Sequence, residues 1–87
     1  MPFLNISTYR FVALDDLPAL RDRLEASAAA AGLKGTLLLA HEGINLFMAG
    51  EQAALRGWVA GSLHAEPPFA GLPTKDSFSD TMPFKRL

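Results

Sequence analysis

Two histidines and no cysteine limit the chemistry open to this 87-residue chain. The tightest grouping of reactive side chains is His41-Glu42-Gly43-Ile44-Asn45. A histidine before a tight turn, with an asparagine two residues past the glycine, offers a base, a donor and an acceptor in one place. Capping of backbone groups at the mouth of a hairpin is the competing role, because Asn and His side chains satisfy turn amides well. Other chemistry is sparse. His41 and His64 fall in different elements, and without Cys or a carboxylate pair at ligand spacing no zinc or iron site is expected. Ser62 and His64 project from different faces of a helix, so no activated nucleophile is expected. No Gly-rich phosphate cradle is present. The sequence therefore assigns no catalytic residue, no metal ligand and no cofactor.

A second constellation is aromatic. Tyr9 and Phe11 on a first strand would lie near Phe47 on a third, with Arg10 and Lys75 close by and Lys85 and Arg86 at the tail. RNA-recognition modules stack bases on aromatics of the two central strands of such a sheet. The aromatic-rich octamer of that module is absent, and the net charge of −1 supplies no general attraction to a polyanion. Burial in the core, or a contact surface for a neighbouring domain, suits these residues better. With His41 and Asn45, they are the candidate interdomain or nucleic-acid contacts.

Both constellations depend on a hairpin. Residues 35–50 run Gly-Thr-Leu-Leu-Leu-Ala-His-Glu-Gly-Ile-Asn-Leu-Phe-Met-Ala-Gly. Leu37, Leu38 and Leu39 form an apolar strand; Ile44, Leu46 and Met48 alternate with Asn45, Phe47 and Ala49 at a period of two. Gly43 is expected to supply the positive φ of the turn, which would hold His41 and Asn45 together at one end.

Upstream, residues 3–12 form the first strand, Leu4, Ile6 and Thr8 facing one way and Asn5, Ser7, Tyr9 and Phe11 the other. Asp15-Asp16-Leu17-Pro18 starts a helix near 16–31, with Leu17, Leu20, Leu24, Ala28 and Ala31 on its buried stripe and Gly32 ending it. A second helix is expected over 51–63, burying Leu55, Val59 and Leu63, with Gly57 and Gly61 packed closely on the sheet. Pro67-Pro68 forces an extended loop, and Thr74 to Phe78 makes a fourth strand. Leu20, Leu24, Leu38, Leu46, Leu55 and Val59 should be buried together. The order βαββαβ is the α+β, ferredoxin-like arrangement: a four-stranded antiparallel sheet with two helices on one face, strands one and three in the middle.

Residues 1–87 make one small domain, of which 49% is apolar. No window approaches the about 20 apolar residues of a membrane span, and no basic stretch precedes an apolar one at the N-terminus, so the cytoplasm is the expected compartment. Met82-Pro-Phe-Lys-Arg-Leu87 reads as the opening of a strand that stops short, as in a piece of a longer protein.

Three strings, Leu39-Ala-His-Glu-Gly-Ile-Asn45, Ile6-Ser-Thr-Tyr-Arg-Phe11 and Met82-Pro-Phe-Lys-Arg-Leu87, resemble the N-terminal domain of the rhodanese-containing tRNA uridine hydroxylases. The resemblance covers essentially the whole chain. It implies an acylphosphatase-like, ferredoxin-type fold preceding a rhodanese domain whose Cys serves oxygen-dependent 5-hydroxylation of the wobble uridine. It further implies a non-catalytic accessory domain that assists tRNA binding or docks onto the rhodanese domain of the same polypeptide. A stand-alone acylphosphatase-like small-molecule or phosphate-binding domain is the alternative. In acylphosphatases the loop between first strand and helix is Gly-rich and ends in Arg; here it is Ala13-Leu-Asp-Asp-Leu-Pro18, acidic and Gly-free, so hydrolysis of acyl phosphates is not expected.

Overall fold

The computed structural model describes residues 2–85. Its elements are β1 (Phe3–Phe11), α1 (Leu17–Ala30), β2 (Lys34–Ala40), β3 (Gly43–Glu51), α2 (Gln52–Trp58) and β4 (Lys75–Ser79). Between α2 and β4 lie a π turn, Val59–Leu63, and a 3-10 turn, Pro67–Phe69. The strands form one sheet in the order β2-β3-β1-β4, every pairing antiparallel. This is the expected ferredoxin-like α+β architecture, with β1 and β3 central.

Strand periodicity sorts the residues. Leu4 and Ile6 of β1 and Ile44, Leu46 and Met48 of β3 are buried beneath Leu20, Leu24 and Ala28 of α1 and Leu55 and Trp58 of α2. Each such leucine, isoleucine or methionine contributes about 1.5–3 kcal/mol when fully removed from water. Leu38 departs from the expected core. Leu37 and Leu39 pack against the core while Leu38, one residue out of phase, is 58% exposed on the other face. The pleat allows only alternate residues of a three-leucine run to point inward.

α1 begins after Asp16, whose φ of 52° is left-handed, and its carbonyl accepts from the Leu20 amide at 3.0 Å. Gly32, at φ 73°, ends the helix as expected. The second helix reaches Leu63 but not as one α-helix. The His64 amide donates to the Val59 carbonyl five residues back, at 2.8 Å. Trp58 rather than Val59 is fully inside, and the wider turn brings Leu63, five residues on, to the same interior; Val59 is half-buried. The Trp58 indole N–H donates to the Ser27 hydroxyl at 2.8 Å, joining the two helices. Gly57 and Gly61 do not pack on the sheet: a Cβ at either would meet nothing within 4 Å.

Pro67 and Pro68 open a 3-10 turn rather than an extended loop, and Phe69, carried by that turn, is fully buried with Leu72 close behind. A bidentate pair, Arg23 to Glu66 with both contacts at 2.9 Å, ties this turn to α1. The guanidinium's hydrogen bonds hold the Glu66 carboxyl below its ordinary range.

After β4 the chain crosses one end of the uncovered sheet face. The Lys34 ammonium on β2, at the opposite edge, donates to the Lys85 carbonyl at 3.0 Å. Ala49 is fully buried although it shares its face with exposed Phe47, and Met82 and Phe84 are half-buried. Residues 80–85 form no strand.

Candidate functional site

The uncovered face beyond this crossing carries the candidate site. β1 places Tyr9 and Phe11 there, β3 places Asn45 and Phe47, and β2 adds Leu38. Phe11 is 85% exposed, Tyr9 70% and Phe47 45%. The Tyr9 and Phe11 rings meet edge to face, centroids 6.1 Å apart. Register fixes the neighbours: Tyr9 opposes Asn45, which opposes Leu38 in turn, and Ser7 opposes both Phe47 and Lys75. The sequence gives no weight to Leu38 as a surface residue. The signal for it is the alternation itself, which sets residue 38 opposite to residues 37 and 39.

Two depressions flank Tyr9 and Asn45. The first, about 260 Å³, is almost wholly apolar, walled by Phe11, Tyr9 and Leu38. Gly43 and Ala40 contribute to it, and Arg10, Glu42 and Asn45 are the polar residues along it. The second, on the β4 side, is about 520 Å³ and mixed in character. Phe47 and Tyr9 share it with Ser7, Asn45, Thr74 and Lys75.

Not all of the expected contacts share this face. Arg10 lies with the helix-side residues of β1, and its guanidinium donates to the Pro68 and Ala70 carbonyls at 3.1 and 3.4 Å. It therefore braces the loop that buries Phe69. His41 turns away from Asn45. A ring nitrogen lies 3.4 Å from the Leu14 carbonyl oxygen, and the His41 carbonyl accepts from the Leu14 amide at 2.9 Å. The Glu42 carbonyl likewise accepts from Val12 at 2.9 Å. Lys75 and Lys85 approach opposite edges of the sheet, and Arg86 lies outside the described residues. Among the described residues, Arg10, Lys75 and Lys85 do not form one patch.

The glycine of the motif is needed for a reason other than the expected one. Gly43 has no positive φ, and neither has His41 or Glu42. A Cβ at Gly43 would instead run into the Arg10 carbonyl oxygen on β1. The turn is thus built for close approach of β1, and its carbonyls take up the amides leading into α1. Val12 and Leu14 have their N–H groups occupied, and the junction that follows is acidic at Asp15 and Asp16, which disfavours an anion there. Among the described residues no three His, Asp or Glu are grouped to hold a metal ion, and no helix is long and apolar enough to cross a membrane.

The architecture and this face define a ferredoxin-like βαββαβ domain with an aromatic, largely uncovered sheet surface. Residues 3–87 match the family model described as UPF0176 acylphosphatase like domain, and the chain belongs to that family. Among curated relatives, a tRNA uridine(34) hydroxylase of Cupriavidus taiwanensis is 52% identical over all of this chain and 30% of its own length. One of Variovorax paradoxus is 56% identical over 97% of this chain and 32% of its own. One of Thiobacillus denitrificans is 51% identical over the whole chain and 35% of its own. The chain spans about a third of the length of the curated relatives it matches.

Proposed function

We propose that this chain is the accessory, non-catalytic domain of a cytoplasmic tRNA uridine hydroxylase, and that it docks onto the rest of that polypeptide through the apolar end of its sheet. The whole protein would carry out oxygen-dependent 5-hydroxylation of the wobble uridine, with the chemistry in a rhodanese domain that supplies the Cys. The single observation that carries the docking is the contiguous set Phe11, Tyr9 and Leu38, each more than half exposed around an apolar cleft. Exposed aromatic clusters of this kind mark interaction surfaces, and aromatics supply the anchors of interfaces. Relatives about three times as long as this chain are consistent with such a partner in the same polypeptide.

An acylphosphatase-like activity fits less well, because the β1–α1 junction is acidic at Asp15 and Asp16, has neither Gly nor Arg, and already has the Val12 and Leu14 amides paired.

The test replaces Phe11 and Leu38 by Asp in the full-length protein. Both are exposed, so the domain should still fold, while docking should weaken by about 2 kcal/mol or more. 5-Hydroxyuridine in tRNA, measured by mass spectrometry, should fall, and limited proteolysis should release the domain faster. Undiminished product and unchanged cleavage would overturn the reading.

A further inference from the structure

The mixed groove on the β4 side differs in chemistry from the apolar cleft. None of its lining side chains is acidic. Two of its hydroxyls are committed: Thr8 donates to the Pro73 carbonyl and Thr74 to the Asp76 carboxylate, each at 2.7 Å. Asp76 also accepts from Arg56 at 3.4 Å, on the helix side of the strand, so it leaves its neighbour alone. Lys75 joins neither ion pair found among the described residues, and the Asn45 carboxamide is exposed. Two aromatic rings, one amide and one uncompensated ammonium therefore converge on a groove without opposing charge.

We propose that this groove binds one unpaired nucleotide of an RNA strand. The base stacks on Phe47 and Tyr9, Asn45 hydrogen-bonds its edge, and Lys75 pairs with a phosphate. The register suits this. Phe47, Ser7 and Lys75 stand in one row across β3, β1 and β4. Two strand spacings, about 10 Å, separate the stacking ring from the cation's backbone, a span bridged by a base, its ribose and its phosphate. β1 and β3 are the central strands, where sheet-face readers of RNA carry their stacking rings. An apolar protein surface laid on this groove would desolvate Asn45 and Lys75 without partners, which is costly; a nucleotide satisfies both. The choice of RNA rests on the reading of the chain as part of a tRNA-modifying protein. With a single cation in the groove and a net charge of −1, stacking rather than charge carries the affinity, and binding by the domain alone is weak.

The 87-residue chain, which has its own core, is titrated with single-stranded hexauridylate and followed by amide and aromatic proton shifts. Saturable shifts are expected at Tyr9, Asn45, Phe47 and Lys75. Tyr9→Ala and Phe47→Ala should each weaken binding about tenfold. Lys75→Ala should weaken it and flatten the salt dependence, whose log–log slope for one phosphate is about −0.7. Leu38→Ala, which lines the apolar cleft and not this groove, should leave affinity unchanged. Emission from the single tryptophan verifies that each variant is folded. Absence of shifts, shifts confined to Phe11 and Leu38, or binding that survives loss of both Tyr9 and Phe47 would overturn the proposal. Hydroxylation and interdomain cleavage are not read here, so failure of the docking reading and failure of this one are told apart.

Discussion

Gly43 of β3 lies so close beneath Arg10 of β1 that a Cβ would meet the Arg10 carbonyl oxygen. The obstacle is backbone in the middle of a sheet, which cannot swing aside as a side chain does. Gly43→Ala should cost about 1–3 kcal/mol or more, from forced separation of the two central strands. Urea unfolding followed by tryptophan emission measures it; an unchanged midpoint would show that the strands can part there freely.

Leu24 and Leu38 share a residue type and contrast in place, one on the inward stripe of α1 and fully buried, the other on the open face of the sheet. Leu24→Ala should lose about 2–5 kcal/mol, whereas Leu38→Ala should stay within about 0.5 kcal/mol of the parent. Comparable losses for the two would contradict the alternation in β2.

Ser27 accepts from the buried Trp58 indole and donates to the Leu24 carbonyl at 3.0 Å. Ser27→Ala leaves the indole N–H unpaired, which should cost about 1–3 kcal/mol. As Trp58 is the chain's one tryptophan, the change should also shift its emission in the folded state, a direct check on the contact.

Glu66 is held below its ordinary pKa by Arg23, so its pairing favours the folded state while the carboxylate is ionised. Its contribution is fully present above the unfolded value, about 4.3, and disappears as pH falls through the lower folded value. The stability gap between the parent and Glu66→Gln should be constant from neutral pH to near that value and close below it. Because the guanidinium is exposed, the gap should also be small and shrink with salt. A gap that widens on acidification would mean the ion pair has the opposite sign of effect.

How much of this was legible in the sequence follows the range of the signals. Strand alternation and the helical stripe are local, and they located all six elements and the inward residues of β1, β3 and α1. Tyr9, Phe11, Asn45 and Phe47 were placed on one face by parity alone. What escaped was set by distant partners. Phe69 sits in a short turn without periodicity, and its burial depends on Arg10 holding the Pro68 and Ala70 carbonyls 58 and 60 residues away. His41 and Asn45 are near in sequence, yet the β1–α1 junction draws one aside while the pleat directs the other to the open face.

The five-residue turn at Val59–Leu63 carries a consequence for chain length. Each residue added to or removed from a helix rotates everything after it by about 100°. The wide turn absorbs one residue beyond a regular α-helical count and so brings Leu63 round to the interior. It also aims His64 so that its Nε2 lies 2.8 Å from the Leu72 carbonyl oxygen. Gly61 lies within this turn with open space around it. Its deletion would take out that one extra residue and close the segment to a regular α-turn with Leu63 still facing the core, whereas a further inserted residue would rotate Leu63 outward by about 100° and uncouple the segment that carries Phe69.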